Sequence, residues 1–189
     1  MNEEVIVKNN QEKVEKVIRG ISEVSIIIMF TCLMAISSKI KIQTGIVPFT
    51  LQTFIVFLSS LYIGNRKAAI PQILYMLTGL GGAFIFANGG GMAYILSPTF
   101  GYILGFIACS FAMGLILEKT GKNISSLKLI MISFIGLFIY FSFGVTYLYV
   151  ISKTIGITLF SAVVSGCVMF LAFDFIKILA ACRNSKNIK

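Results

Sequence analysis

The stretch "TFGYILGFIACSFAMGLIL", residues 99–117, decides the fold class because it contains no charged side chain. A helix of about 20 apolar residues crosses the roughly 30 Å hydrocarbon core of a bilayer. Similar runs recur along the whole chain of 189 residues, of which 57% are hydrophobic and only 12% charged. Soluble domains carry about 25% charged residues. The composition therefore predicts an all-α integral membrane protein in the cell (plasma) membrane.

The apolar runs predict six transmembrane helices within one membrane domain, residues 23–182. Polar or glycine-rich connectors separate the runs, which cover about 23–38, 51–63, 68–86, 99–117, 129–150 and a last stretch that ends at 182. Residues 1–22 mix acidic and basic side chains and are expected to form a cytoplasmic tail or an interfacial helix. Residues 183–189 are expected to form a short cytoplasmic tail.

The distribution of Lys and Arg predicts the orientation in the membrane. If both termini lie in the cytoplasm, twelve of the 16 basic residues are cytoplasmic and three lie outside, namely Lys39, Lys41 and Lys153. The positive-inside rule then favours an N-in/C-in protein with six helices. The net charge of +9 does not indicate nucleic acid as a partner, because no basic stripe carries interleaved aromatic residues.

The residue types that many enzymes need are missing from the chain. It has no His, and its four Cys stand singly. His-based metal sites and Ser-His-Asp or Cys-His catalysis are therefore excluded, and we expect no enzyme activity, no cofactor and no metal. The chain also lacks the phosphate-binding pattern G-x-x-x-x-G-K-[ST]. If the chain is a transporter, it therefore acts passively or uses ATPases of partner proteins. The alternatives are a membrane enzyme that modifies lipid or quinone and a purely structural subunit.

The stretch "LAFDFIKILAAC", residues 171–182, places two charges in an apolar run. Asp174 is the single Asp of the chain, and Lys177 follows three residues later. A charge at the bilayer centre costs about 2.5–3.5 kcal/mol on insertion scales. Residues three apart lie on one helical face. The two charges either neutralise each other and fix the last helix in the bundle, or anchor a polar substrate in a cavity. We favour the second interpretation, because intramembrane charges tend to mark substrate paths.

The first predicted helix carries a pattern typical of close helix packing. In "MFTCLMAIS", residues 29–37, Thr31 and Ala35 stand four apart. Two small residues at this spacing let another helix approach closely. We expect this face to dock a partner.

Residues 47–106, "VPFTLQTFIVFLSSLYIGNRKAAIPQILYMLTGLGGAFIFANGGGMAYILSPTFGYILGF", resemble the BioY family. This family comprises the biotin-specific substrate-binding (S) components of energy-coupling factor (ECF) transporters. Together with the Asp-x-x-Lys pattern, the resemblance extends over residues 31–181. It implies a six-helix S-component fold and association with a transmembrane coupling protein and two cytoplasmic ATPases. An S component for another small vitamin or carboxylic acid is the nearest alternative.

The resemblance also implies a set of binding residues. Biotin has a ureido ring with two N–H donors and one carbonyl, apolar rings and tail, and a carboxylate. Asp174 is expected to accept from a ureido N–H, Asn88 to hydrogen-bond the same ring, and Lys177 to meet the carboxylate. Further expected contacts are Pro48, Thr50 and Gln52 in a lid, Phe86 and Tyr94 as walls for the rings, and Tyr102, which lies near a position where some relatives carry Arg. The resemblance further implies an Ala-x-x-x-Ala face that binds the coupling protein. Thr31 stands at the position of the first Ala, and Ala35 matches the second.

The depth of the charge pair depends on where the last helix begins. Hydropathy indicates a continuous helix from about Gly156, which places Asp174 near the inner third of the membrane. The resemblance instead implies a partly external segment over 154–170 and a helix over 171–187. Asp174 then faces an external cavity, and we favour this arrangement.

Overall fold

The computed structural model describes residues 3–43, 46–121, 124–152 and 158–186. Within these ranges the chain is mostly helical, which confirms the all-α class. The elements are α1 (Glu3–Lys39), β1 (Lys41–Ile42), β2 (Phe49–Thr50), α2 (Gln52–Ile63), α3 (Ile70–Leu80), α4 (Phe100–Thr120), α5 (Ser126–Ser152), α6 (Leu159–Val163) and α7 (Met169–Lys186). The two short strands pair in antiparallel fashion. We call the end of the bundle that carries them the hairpin end.

Four helical stretches in the described chain are long and apolar enough to cross a membrane. They are Lys8–Lys39, Phe100–Thr120, Ser126–Ile151 and Phe160–Arg183. The other two predicted spans correspond to the shorter helices α2, of 12 residues, and α3, of 11 residues. At about 1.5 Å per residue, each covers only about half of a bilayer core. The count of six transmembrane helices therefore stays a prediction for α2 and α3.

The third predicted span is shorter than expected because glycines end it. Residues 68–86 were expected to form a span that is interrupted by Pro71 and by "GLGG", residues 79–82, and α3 stops at Leu80 within these glycines. Gly81 caps the helix, and Gly82 has φ +107°, a conformation that side chains with a Cβ rarely adopt. Residues 83–91 then fold back in a turn, in which Phe86 pairs with Gly89. This turn belongs to the hairpin end and closes over the bundle.

Helix α1 continues far beyond the first predicted span. Its 37 residues correspond to about 55 Å, more than the bilayer core requires. The segment expected to be a tail or an interfacial helix is, from residue 3 onward, a direct helical extension of the span. Its apolar side chains are exposed, with more than half of the surface of Val14, Val17, Ile18 and Ile21 accessible.

The last helix combines features of both sequence-based expectations. Helix α7 begins at Met169, close to the start implied by the resemblance. It is not preceded by a separate segment, because α6 and a π-helical turn over Val164–Val168 lead directly into it. No proline interrupts this region, so the backbone stays helical from Leu159 onward. Residues 153–157, at the other boundary, lie outside the described residues.

Glycines bring α4 and α5 into close contact. A Cβ atom built on Gly101 would lie 2.1 Å from Cβ of Tyr147, and one on Gly105 would lie 2.8 Å from the backbone oxygen of Tyr140. Larger residues would force the helices apart. The close approach places aromatic residues of both helices side by side, and the rings of Phe106 and Tyr140 stack at 5.3 Å.

Candidate functional site

Asp174 and Lys177 contact each other inside the bundle. Lys177 Nζ lies 2.8 Å from Asp174 Oδ1, and the two residues are 8% and 1% exposed. Thr53, in the first turn of α2, donates its hydroxyl to Asp174 Oδ1 at 2.8 Å and accepts from Lys177 Nζ at 2.7 Å. Lys177 also donates to the backbone oxygen of Thr50 at 2.9 Å. The charge pair therefore links α7 to the start of α2, near the hairpin end.

One oxygen of the Asp174 carboxylate takes no part in these contacts. Asp174 Oδ2 is buried and has no hydrogen-bond partner among the described residues. A buried carboxylate oxygen is costly to leave unpaired, and such an atom in a native structure calls for an explanation such as a water, an ion or a ligand. An ionised carboxylate only accepts hydrogen bonds. Oδ2 can therefore accept from an N–H or O–H group.

A small cavity lies beside the charge pair, with Thr50 bordering both. Its walls are mostly apolar and aromatic, with hydroxyl and amide groups at the rim, and consist of Val47, Pro48, Thr50, Gln52, Tyr75, Ala87, Tyr94, Thr99, Tyr102, Ile103, Phe106 and Tyr140. Such a mixture of apolar walls and a few polar groups is typical of small-molecule sites. The free volume is only about 30 Å³, which holds about two water molecules. We call this narrow arrangement of the cavity the closed form.

Five predicted residues line this cavity: Pro48, Thr50, Gln52, Tyr94 and Tyr102. Their polar groups are held by neighbours. The side-chain amide of Gln52 donates to the Tyr75 hydroxyl at 2.9 Å, and the hydroxyls of Tyr94 and Thr99 lie 2.9 Å apart. Tyr102 donates to the Gly166 oxygen at 2.9 Å, within the π-helical turn before α7.

Four further predicted residues lie outside the cavity lining, namely Phe86, Asn88, Asp174 and Lys177, although Lys177 contacts the lining residue Thr50. Phe86 is fully buried behind it, between Tyr75 and Tyr94, with ring centroids at 5.4 and 4.5 Å. Asn88 is exposed, and its Oδ1 accepts from Lys41 Nζ at 2.6 Å. In the closed form, Asn88 is thus part of the contact between β1 and the turn over residues 83–91.

Side chains from the end of α1 and from β1 hold the turn over residues 83–91. Ser38 donates to the Ile85 oxygen at 2.5 Å, Lys39 to the Phe86 oxygen at 2.7 Å, and Lys41 to the Ala87 oxygen at 2.7 Å. Because Ala87 lines the cavity, these hydrogen bonds keep one of its walls in place. The same two lysines were predicted to lie on the outer side of the membrane.

Sequence reasoning missed several contributors to the site. Thr53, Tyr75, Phe106 and Tyr140 hold the charge pair or line the cavity. Thr53 lies in "VPFTLQTF", residues 47–54, at the start of the stretch that resembles the family. This position was the signal in the sequence that could have identified Thr53 as a site residue. The aromatic residues lie within apolar helices, where their sequence context does not distinguish a cavity wall from ordinary core.

Thr31 and Ala35, the expected docking residues, are both partly buried. The Thr31 hydroxyl donates to Ile27 O at 2.9 Å in its own helix and lies 3.4 Å from Pro71 O in α3. Ala35 packs against the core. A partner helix can therefore reach only the edge of this face, and its docking role remains a prediction.

A family model described as the BioY family matches residues 8–189. The chain belongs to the BioY family. This confirms the family predicted from the sequence, which is one of transporter components and not of enzymes.

Two curated relatives illustrate the similarity. A probable biotin transporter BioY of Lysinibacillus sphaericus is 39% identical over 66% of this chain, and the match spans 63% of that relative, slightly less than two thirds. The biotin transporter BioY of Thermotoga maritima is 35% identical over 85% of this chain and 92% of its own length. Both are therefore similar to this BioY chain over most of its length.

A crystal structure of the S component for biotin from an ECF-type ABC transporter has the same fold. The TM-score is 0.78 at 21% identity, and the match covers 90% of this chain and 92% of the other. At this identity the likeness concerns the fold, and it confirms the predicted S-component fold. The family, the fold and the apolar helices together identify this BioY chain as a membrane protein.

Proposed function

We propose that this BioY chain captures biotin and delivers it to an ECF module for uptake driven by ATP. The observation that carries the proposal is an aromatic-walled cavity next to the charge pair, where Lys177 contacts the lining residue Thr50 and Oδ2 of Asp174 accepts from no described residue. A ureido N–H is the kind of donor that this oxygen lacks. The family and the names of the relatives support biotin over other small acids.

The cavity chemistry suits the remaining parts of biotin. Tyr94, Tyr102, Phe106 and Tyr140 offer apolar ring faces to the fused rings and the aliphatic tail. Thr50 and Gln52 supply polar groups at the rim, and Lys177 lies directly behind Thr50. Asn88 reaches the ureido ring only if its contact with Lys41 opens.

Binding requires the walls to separate, because ligand pockets for small molecules measure about 300–1,000 Å³. The first elements to move are those held by side chains at the surface, namely the turn over residues 83–91 and the segment before α2. They are joined by the Lys41 contacts to Ala87 and Asn88. Opening breaks these two exposed hydrogen bonds and those from Ser38 and Lys39 to the turn, and it leaves the α4–α5 packing intact.

Binding is tested directly by isothermal titration of the purified chain in detergent. We expect saturable biotin binding with a stoichiometry near one, and competition by dethiobiotin stronger than by lipoate or riboflavin. Tighter binding of lipoate or riboflavin would favour an S component for another vitamin. A folded chain that binds none of these compounds, yet copurifies with ATPases, would indicate a purely structural subunit.

We further propose an N-in/C-in orientation in the plasma membrane, with the hairpin end outside and a coupling protein and two ATPases as partners. Right-side-out vesicles that contain all four proteins and internal ATP are expected to accumulate external radiolabelled biotin. Vesicles with hydrolysis-deficient ATPases serve as the matched control and should show binding without accumulation. Equal accumulation in the control would mean that uptake does not depend on ATP hydrolysis by the partners.

A further inference from the structure

A second and larger cavity lies between α1 and the last turn of α2, at the end of α2 that points away from the hairpin end. Its volume is about 160 Å³, which is room for about five water molecules. Apolar side chains, among them Ile26 and Ile63, form part of its lining, and Glu23, Asn65 and Lys67 supply the polar part. None of these residues lines the cavity beside the charge pair. The second cavity is therefore a separate place where a molecule can bind.

Two opposite charges stand side by side at this cavity. Lys67 Nζ lies 2.5 Å from Glu23 Oε2, and the two side chains are 53% and 48% exposed. An ammonium group carries three N–H donors, and a carboxylate has two oxygens that accept. One contact between the two groups leaves each of them able to bind a further partner from its exposed side. The pair therefore offers both a donor and an acceptor to the same ligand.

The surrounding residues place the cavity at the boundary of the membrane. The predominantly apolar part of α1 begins directly after Glu23, and Lys67 follows shortly after α2 ends at Ile63. Tyr62 lines the cavity and packs on Phe30 of α1, with the ring centroids 5.7 Å apart. Tyr is enriched where the hydrocarbon core meets the headgroup layer. The two charges therefore lie at the level of the lipid headgroups, and the apolar lining lies at the level of the acyl chains.

We infer that this cavity binds a phospholipid whose headgroup carries both a phosphate and a primary ammonium group. Lys67 donates to the phosphate, Glu23 accepts from the ammonium group, and the apolar lining contacts the start of the acyl chains. A short ethylene link joins the two charges of such a headgroup, so both reach neighbouring side chains at once. A choline headgroup has no N–H to donate to Glu23, and a headgroup with a phosphate alone brings a like charge close to it. The inference goes beyond biotin binding and does not depend on it.

The test is lipid binding by the purified chain, counted by native mass spectrometry in detergent with phosphatidylethanolamine, phosphatidylcholine or phosphatidylglycerol added singly. We expect the wild-type chain to bind phosphatidylethanolamine about three- to tenfold more tightly than the other two, the factor that one net hydrogen bond contributes. Glu23→Gln should reduce the affinity for phosphatidylethanolamine to that for phosphatidylcholine, because a neutral amide binds an ammonium group more weakly than a carboxylate does. Lys67→Gln should weaken the binding of all three lipids, since each carries a phosphate.

Glu118→Gln is the matched control. Glu118 forms a similarly exposed ion pair with the neighbouring basic residue Arg66, whose Nε lies 2.9 Å from Glu118 Oε2, and neither residue lines the cavity. The control removes the same type of charge from the same end of the bundle. It should keep the lipid preference of the wild type.

Equal affinity of the wild-type chain for the three lipids would overturn the inference. A loss of preference in Glu118→Gln as large as that in Glu23→Gln would overturn it as well, since the charge of this end, and not the cavity, would then select the lipid. A chain without lipid preference whose Glu23→Gln variant no longer copurifies with the ATPases would assign the cavity to a partner protein, which also overturns the inference. Biotin titration of the same variants should match the wild type, so a failure of lipid selection and a failure of the proposed function are distinguishable.

Discussion

Replacement of Asp174 by alanine is expected to abolish measurable biotin binding and to destabilise the fold by about 3–5 kcal/mol. The variant removes the carboxylate oxygen that is free for a ligand donor. It also leaves the Lys177 ammonium buried without its counter-charge, since the pair lies 2.8 Å apart and is nearly inaccessible. Thermal unfolding in detergent and titration with biotin measure the two effects separately.

A double replacement separates binding from stability. Asp174→Leu combined with Lys177→Met removes both charges and fills their volume with apolar atoms. Exchanging a buried ion pair for apolar residues is often neutral or stabilising by about 1–4 kcal/mol. We therefore expect the double variant to melt near the wild-type temperature but still not to bind biotin. A stable double variant that binds biotin like the wild type would show that the two charges only neutralise each other.

The sequence was sufficient to predict the contact between these two charges. Residues three apart in a helix lie on one face whatever the rest of the fold, and Asp174 and Lys177 do contact each other. The apolar runs likewise predicted the long helices, because the length of a membrane span is fixed by the bilayer. Both inferences use only local geometry.

Contacts between distant segments could not be predicted in the same way. Thr53 is separated from Asp174 by 121 residues, and no periodicity in the sequence indicates that they contact each other. Asn88 was assigned to the ligand, but in the closed form its partner is Lys41. The interruption at "GLGG" was predicted, but the turn over residues 83–91 that follows it was not. Hydropathy indicates which residues avoid water, and it does not indicate which of them pack together.

Gly101→Ala is expected to lower both the melting temperature and the affinity for biotin. The added Cβ would lie 2.1 Å from Cβ of Tyr147 and 3.0 Å from the backbone oxygen of Phe143. These atoms belong to the body of α5 and cannot rotate away, so the two helices must separate. Overpacking of this kind costs about 1–3 kcal/mol. Because Tyr102 and Tyr140 line the cavity from the two helices, the separation also displaces its walls.

Gly20→Ala is the matched control, because it makes the same change in a helix interior where no atom lies within 4 Å of the added Cβ. An Ala at an open helical position is more stable than Gly by about 0.5–1 kcal/mol. The control should therefore melt slightly higher than the wild type and bind biotin equally well. If Gly101→Ala melts lower and Gly20→Ala melts higher than the wild type, the contact at Gly101, and not helix propensity, causes the loss of stability. A Gly101→Ala chain that gains stability as Gly20→Ala does would mean that α4 and α5 are not in close contact, and that the cavity does not depend on their spacing.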